Sequence, residues 1–344
     1  MQVIITAEVQ KYWKKLLGPY MDAIDRKAWF QLLSTAGLLA LNWFLMLQSL
    51  KLSYGLTLLL AIPAVGFQIR LFIFLHDCGH GSFFKSRKLN NAVGALIGVV
   101  TMTPFGYWRR THAIHHGTSG DLDRRGLGDV KTITVKEYDD RSWWGRLAYR
   151  VYRHPFVLLV IGPFYQFVLK QRLPLDIPRT WKREWASVMW TNLALAAALF
   201  AGWQLFGLQR FLMVQGPIIL FSGTLGVWLF YIQHQFEDTY WREHQEWDFH
   251  RAGIEGSSLY DLPAFLHWFT GNIGFHHVHH LASAIPNYRL KECFTQVPEL
   301  HEVTRLTLWT SIRSARLHLW DEVEGRLVSF RQYRRSRNRL SQLS

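Results

Sequence analysis

The sequence predicts an all-α integral membrane protein, with four transmembrane helices and a cytoplasmic helical cap. Two observations predict it. Long stretches of the 344-residue chain carry no charge, and the charges that remain collect in alternate segments between those stretches. A third observation, the spacing of the histidines, says what the cap holds.

The uncharged runs cover residues 28–50, 52–69, 185–209 and 211–233, and residues 71–75 prolong the second beyond Arg70. A helix needs about 20 apolar residues to cross a hydrocarbon core about 30 Å thick. The expected spans are therefore 28–50, 53–75, 185–208 and 211–233. Two shorter stretches differ. Residues 89–108 are broken by Pro104 and several glycines, and residues 155–169 contain Pro163. Both read as interfacial or re-entrant helices, since broken backbone is tolerated where protein rather than lipid surrounds it. The cap then comprises residues 76–184 and 234–344, within one domain of residues 1–344.

The net charge is 39 Lys and Arg less 25 Asp and Glu, or +14. No motif of a nucleic-acid-binding module accompanies it, and anionic lipid accounts for a basic surface. Basic residues precede the first run, fill the segment between the second and third, and follow the fourth. The turns at Lys51 and Arg210 are nearly bare. By the positive-inside rule, both termini and the long middle segment are cytoplasmic. Cys78 and Cys293, the two cysteines, make no disulfide framework or zinc-ribbon spacing. The opening residues "MQVIITAEVQKYWKK" lack a cleavable signal pattern.

Eight of the 16 histidines fall in three clusters. "HDCGH" supplies His76 and His80, "HAIHH" supplies His112, His115 and His116, and "GFHHVHHLA" supplies His276, His279 and His280. Residues three and four apart share a helix face, so each cluster presents its imidazoles together. His277 lies about 100° from His276 on a helical wheel and points elsewhere. His154, His244, His250, His267, His301 and His318 are read as ordinary polar residues. The first cluster ends the second span, the second lies in the middle segment and the third follows the fourth span. All three reach one membrane face only if residues 89–108 do not cross. Eight unpaired buried imidazoles would cost several kcal/mol. A metal relieves that cost, and neutral imidazole suits zinc, copper, iron or nickel. Eight ligands are too many for one ion and suit two. His234, at the cytoplasmic end of the fourth span, is a further candidate.

These boxes resemble those of the membrane fatty acid desaturase family. The match is H-x-x-x-H at His76 and His80, then H-x-x-H-H at His112 to His116 and again at His276 to His280. The flanks "HDCGHGSFF", "HHGTSGDLDRRGLGDV", "QHQFEDTYW", "DLPAFLHWFTGNIGFHHVHHL" and "IPNYRL" also look like those of bacterial and cyanobacterial acyl-lipid enzymes of the Δ12 (omega-6) type and their near relatives. The resemblance implies two iron ions that activate O2 and remove two hydrogens from a lipid acyl chain, leaving a cis double bond. It implies a catalytic role for the eight box histidines, raises His234 as a ninth ligand, and implies a bacterial cytoplasmic membrane. No H-P-G-G haem signature is present, so electrons are expected from a separate ferredoxin or cytochrome b5 type carrier.

Carboxylates orient ligating imidazoles. The candidates for that role are Asp77, Asp121, Glu237, Asp238 and Asp261, with His277 as a further supporting residue. Phe105, Trp108, Trp268 and Phe269 are candidates to line an acyl tunnel. Rival readings are a hydroxylase, ketolase or alkane monooxygenase with the same boxes, or a metal transporter or zinc-dependent membrane hydrolase. A transporter places its ligands near the bilayer midplane, whereas these clusters sit at span ends and in the cap.

Overall fold

A computed structural model describes residues 2–343, with side chains placed for residues 8–339. Four of its helices are long and apolar enough to cross a membrane: Asp25–Ser49, Tyr54–His80, Lys182–Phe206 and Leu208–His234. They coincide with the four expected spans, and the second and fourth run past the apolar sequence at their C-terminal ends. Nothing in a helix obliges it to stop at the lipid boundary, because its backbone hydrogen bonds are internal. It stops where a cap or a left-handed residue ends the ladder. The second helix runs to His80 and ends at Gly81, whose φ is 76°.

The second helix is the inner one. In its most apolar window 56% of residues are buried within the protein, against 17% in the first and third helices and 28% in the fourth. The hairpin of the first two helices is closed by polar contacts that satisfy groups away from water. Ser49 and Thr57 share a hydroxyl hydrogen bond of 2.8 Å, and Asn42 Nδ2 donates to the Leu60 carbonyl at 2.8 Å.

Residues 89–108 do not form one straight helix. Arg87–Val100 and Phe105–Thr118 are two helices meeting at 103°. Pro104 lacks the amide proton that would continue the ladder, and Met102 turns the chain at a φ of 55°. The turn folds tightly onto the first of the two helices: a Cβ on Gly98 would stand 2.5 Å from the Thr103 carbonyl oxygen. The second stretch, residues 155–169, forms a continuous helical run from Val157 to Leu169 that includes widened, π-type turns and carries Pro163. It packs along the fourth helix, where Gly223 leaves room for Pro163 and Phe167.

The cap is mainly short helices, pinned by two small sheets that the sequence pattern does not anticipate. Ile133–Thr134 pairs in parallel with Leu319–Asp321, which pairs antiparallel with Arg326–Val328. Leu259–Tyr260 pairs in parallel with Arg305–Leu306. Both bring C-terminal sequence onto the segments that flank the histidine clusters. Arg153, 1% exposed, ties the cap to the fourth helix. Its guanidinium donates to Tyr231 and Gln235 on that side, and to Lys131, Thr132 and Leu317 on the other.

The bend predicts a labelling pattern. A cysteine at Ser53, in the first turn, reacts with a membrane-impermeant thiol reagent added to intact cells. Cysteines at Asp123 and Ala284, both exposed in the cap, react only after permeabilisation. Cys78 and Cys293 are buried and can remain. External labelling at position 123 with protection at 284 would make the bent pair a full crossing.

Candidate metal centre

Each histidine cluster is placed by a helix. His76 and His80 occupy the last turn of the second helix. His112, His115 and His116 lie on Phe105–Thr118, beyond the bend. His276, His279 and His280 lie on the six-residue helix His276–Leu281, all of whose side chains are buried. His234 is the last residue of the fourth helix.

Among the described residues, these nine histidines converge in two groups. His76, His80, His112, His116 and His279 form one, and His115, His234, His276 and His280 form the other. Within each group the ligand nitrogens all lie within 4.8 Å of one another. Both H-x-x-H-H boxes are divided: a shared helix face brings three imidazoles to the same region, and the small angular difference between them sends each to one group or the other. The rings of His116 and His280 stack at 4.1 Å, so the two groups are neighbours.

The hydrogen bonds show how the two groups could hold a cation. His234 Nδ1 lies 2.9 Å from the Gly256 carbonyl, which only accepts, so Nδ1 carries the proton. His115 Nδ1 faces the Asp129 carboxylate in the same way. With neutral rings, both residues then turn bare Nε2 lone pairs toward each other at 3.2 Å. His276 Nε2 stands 3.0 Å from the same His234 nitrogen. In the other group, His116 Nε2 is 3.1 Å from His112 Nε2 and 3.0 Å from His279 Nε2. The Nε2 atoms of His76, His80 and His280 are buried without any partner. Burial, reinforced by neighbouring imidazoles, pushes His112, His116, His276, His279 and His280 well below the usual histidine range. Neutral rings with converging lone pairs are the form that binds a metal ion.

Of the five candidate carboxylates, only Asp77 touches the centre. Its Oδ1 lies 3.1 Å from His76 Nδ1, and its Oδ2 accepts from the Asn287 amide and side chain at 2.7 and 2.8 Å. The other four do not contact the clustered imidazoles. Asp121 accepts from His244, Glu237 pairs with Arg326, Asp238 is exposed, and Asp261 is half-exposed near Arg305. Asp129 and the Gly256 carbonyl are orienting groups that the sequence pattern does not single out. A signal for Asp129 exists in "GLGDV". Gly128 has a φ of 87°, and a Cβ there would lie 2.9 Å from the Thr111 carbonyl oxygen and 3.2 Å from His115 Cβ. Only glycine lets that loop press its acid onto the box helix. His277 joins neither group. It is fully buried, edge-on to Phe294 at 5.6 Å, and burial pushes its pKa down to about 3.

A cavity of about 500 Å³ reaches this centre, and its lining includes His76, His112 and His276 together with Phe72, Trp108 and Leu229. That volume is within the roughly 300–1,000 Å³ of ordinary small-molecule sites. Trp108 lines it as expected, but the other three aromatic candidates do not. Phe105 is buried against Gly94, Trp268 stacks 4.3 Å from the Arg70 guanidinium, and Phe269 fills the space above Gly66. Each is taken up by packing between helices instead.

Comparison with known proteins agrees with this geometry. Residues 49–311 match the fatty acid desaturase family. A fatty acid desaturase of Bacillus subtilis is 45% identical over 94% of this chain and 92% of its own length. An sn-1 acyl-lipid omega-3 desaturase (ferredoxin) of Synechocystis is 30% identical over 64% of this chain and 61% of its own. An endoplasmic-reticulum omega-3 fatty acid desaturase of Nicotiana tabacum is 28% identical, over 64% and 59%. The last two carry the omega-3 description.

The depressed histidines make metal-free protein acid-sensitive. Their folded pKa values lie below the unfolded value of about 6.5, so the unfolded chain binds more protons as pH falls through that value. The stability they contribute is complete above about pH 6.5 and is lost below it. Thermal unfolding of chelator-treated protein between pH 8 and 5 checks this. An unchanged midpoint across that range would show that the imidazoles are not buried together.

Proposed function

The chain belongs to the fatty acid desaturase family, and from that premise we propose that it is a membrane-bound di-iron enzyme that uses O2 and two electrons to introduce a cis double bond into a lipid acyl chain. The observation that carries this reading is the pair of neighbouring imidazole groups opening onto one largely apolar cavity. His76, His80, His112, His116 and His279 would hold one iron, and His115, His234, His276 and His280 the other. Five imidazoles exceed the four ligands of ordinary structural zinc, and removing hydrogen from an unactivated methylene needs a redox cofactor, which zinc is not.

When bound, the two irons would supply the O2 chemistry that takes two hydrogens from adjacent carbons. Those hydrogens, two electrons and two protons reduce O2 to two waters. The chain's own residues do the positioning. Asp77, Asp129 and the Gly256 carbonyl fix the tautomers of His76, His115 and His234 so that each Nε2 is free for metal. Phe72 and Trp108 wall the cavity beside His76 and His112, keeping water from the reacting carbons. His277 supports the third box through Phe294 rather than by ligation. The electrons come from a separate carrier of ferredoxin or cytochrome b5 type, in keeping with the ferredoxin description of the Synechocystis relative. The bare turns lie outside a bacterial cytoplasmic membrane, and the cap and termini lie in the cytoplasm. The whole chain acts as one membrane desaturase domain.

Two measurements check this. Metal analysis of protein from iron-replete cells gives roughly two irons per chain, and a host lacking polyunsaturated lipids gains a new double bond, read by mass spectrometry of its fatty acids. His80→Ala and His234→Ala each lower bound iron and abolish product, while His277→Ala retains iron. Asp129→Asn weakens iron binding by about 10–100-fold, the usual cost of losing an orienting partner. Zinc in place of iron, or full turnover in His234→Ala, would sink the assignment.

A further inference from the structure

Beyond the third box, the flank "IPNYRL" folds back onto the first. Ile285 is fully buried and anchors it. Pro286, its φ at −69°, is the extended residue from which the helix Asn287–Gln296 starts. Asn287 is 0% exposed and uses three groups at once. Its backbone amide and its Nδ2 both donate to Asp77 Oδ2, and its carbonyl accepts from Asn272 Nδ2 at 3.2 Å. Asn272 precedes the third box and Asn287 follows it, so their hydrogen bond closes the segment that carries His276, His279 and His280. Asp77 ties that closure to the last turns of the second helix. His76 and His279 come from the two segments joined in this way, and their rings lie 4.3 Å apart in the five-imidazole group.

The contact is directional. Asp77 is 1% exposed and, among the described residues, no lysine or arginine pairs with it. A buried carboxylate is costly unless N–H groups replace its water. Asn287 supplies two, one of them at the first turn of a ten-residue helix, where amides lack intrahelical partners. With Oδ2 held from that side, Oδ1 faces His76 Nδ1 at 3.1 Å, and His76 Nε2 is left without a protein partner. The Asn287 amide has one workable orientation. Its Oδ1 is buried and unpartnered, and turning the amide over would set that oxygen against the carboxylate. We propose that Asn287 is a positioning residue for the five-imidazole group: it holds the Asp77 carboxylate in the orientation that keeps the His76 proton on Nδ1 and Nε2 open to the metal. This rests on the di-iron reading and deepens it, naming a residue that acts on the centre only through Asp77. The four-imidazole group is oriented by Asp129 and the Gly256 carbonyl instead, so the two groups differ in their dependence on Asn287.

Iron-loaded wild type, Asn287→Leu, Asn287→Ala and the control Lys291→Gln, exposed on the same helix, are reduced in mild detergent and mixed with a chromogenic iron(II) chelator. Release of each iron is followed by absorbance. Leucine matches asparagine in size but has no donor, and the backbone amide of residue 287 and its carbonyl bond to Asn272 remain, so only the side-chain contact is lost. Asn287→Leu releases one of its two irons about tenfold faster than wild type, the scale of a lost orienting partner. The other iron leaves at the wild-type rate. Asn287→Ala shows the same split to a smaller degree, since water can fill the vacated space and donate to Oδ2. The control matches wild type. Equal acceleration of both irons would make Asn287 a general packing residue. That result, or wild-type release of both irons in Asn287→Leu, or in Asn287→Ala should the leucine variant not fold, overturns the proposal. Failure of the desaturase reading is seen separately, as wild-type protein without iron and no new double bond in the host's fatty acids.

Discussion

Nine imidazoles turned inward in one buried volume are the constraint on which the rest of the structure depends. Neutral histidine has one donor and one acceptor. When Asp77, Asp129 and the Gly256 carbonyl take the Nδ1 protons of three rings, the Nε2 lone pairs of those rings have no protein partner to meet. Left so, each buried acceptor costs on the order of 1–3 kcal/mol. A folded chain can carry that burden only if a ligand removes it, or if the surrounding packing is strong enough to hold the rings regardless. Both conditions have left marks here: donor sets that could hold cations, and a cap tied by buried polar hubs such as Arg153.

Helices longer than a bilayer crossing requires satisfy this constraint. The second and fourth have 27 residues each, about 40 Å at 1.5 Å per residue, against a hydrocarbon core of about 30 Å. The extra length ends the second helix at His80 and the fourth at His234, so these imidazoles sit on the ends of rigid elements. The bent pair serves the same end from the side. Because Pro104 and Met102 break the helix, the chain that enters beside the second span comes back toward it, and the second box arrives on the same face as the first. A straight helix over residues 89–108 would have carried His112 to the other side.

Much of this is legible in the sequence because membranes impose simple rules. Uncharged runs of about 20 residues have few interpretations, so the four spans are readable to within a few residues. Their ends are not, since residues 76–80 look polar and the helix continues through them. Helical spacing yields the convergence of the box histidines and sets His277 aside, because face and angle are local properties. It yields neither the five-and-four division nor the two small sheets, both of which depend on how distant segments meet. The orienting acids show the same limit. Asp77 adjoins a box and is identifiable, while Asp129 acts across a loop whose approach depends on Gly128. Asp121, Glu237, Asp238 and Asp261 lie near the clusters in sequence but turn to His244, to arginine or to solvent.

The aromatic candidates carry the same point into the cavity. Phe105, Trp108, Trp268 and Phe269 all lie within ten residues of a box histidine, yet only Trp108 faces the cavity. Its ring stacks on His112 at 4.4 Å, one helical turn away. Residues four apart on a helix are held on one face by the helix itself, so a side chain one turn from a clustered histidine must point where that histidine points. Trp268 and Phe269 precede the third box across a turn with left-handed residues at Gly271 and Asn272, which breaks any such relation. Phe105 is seven residues from His112, nearly two turns away, and the interhelical packing at Gly94 claims it first. Proximity in sequence therefore transmits orientation only along an unbroken helix. The imidazoles, two or three of them to a helical face, are readable from their spacing as one site for that reason. The walls of the cavity they open onto are not, because those walls come from helices that meet only in the folded bundle.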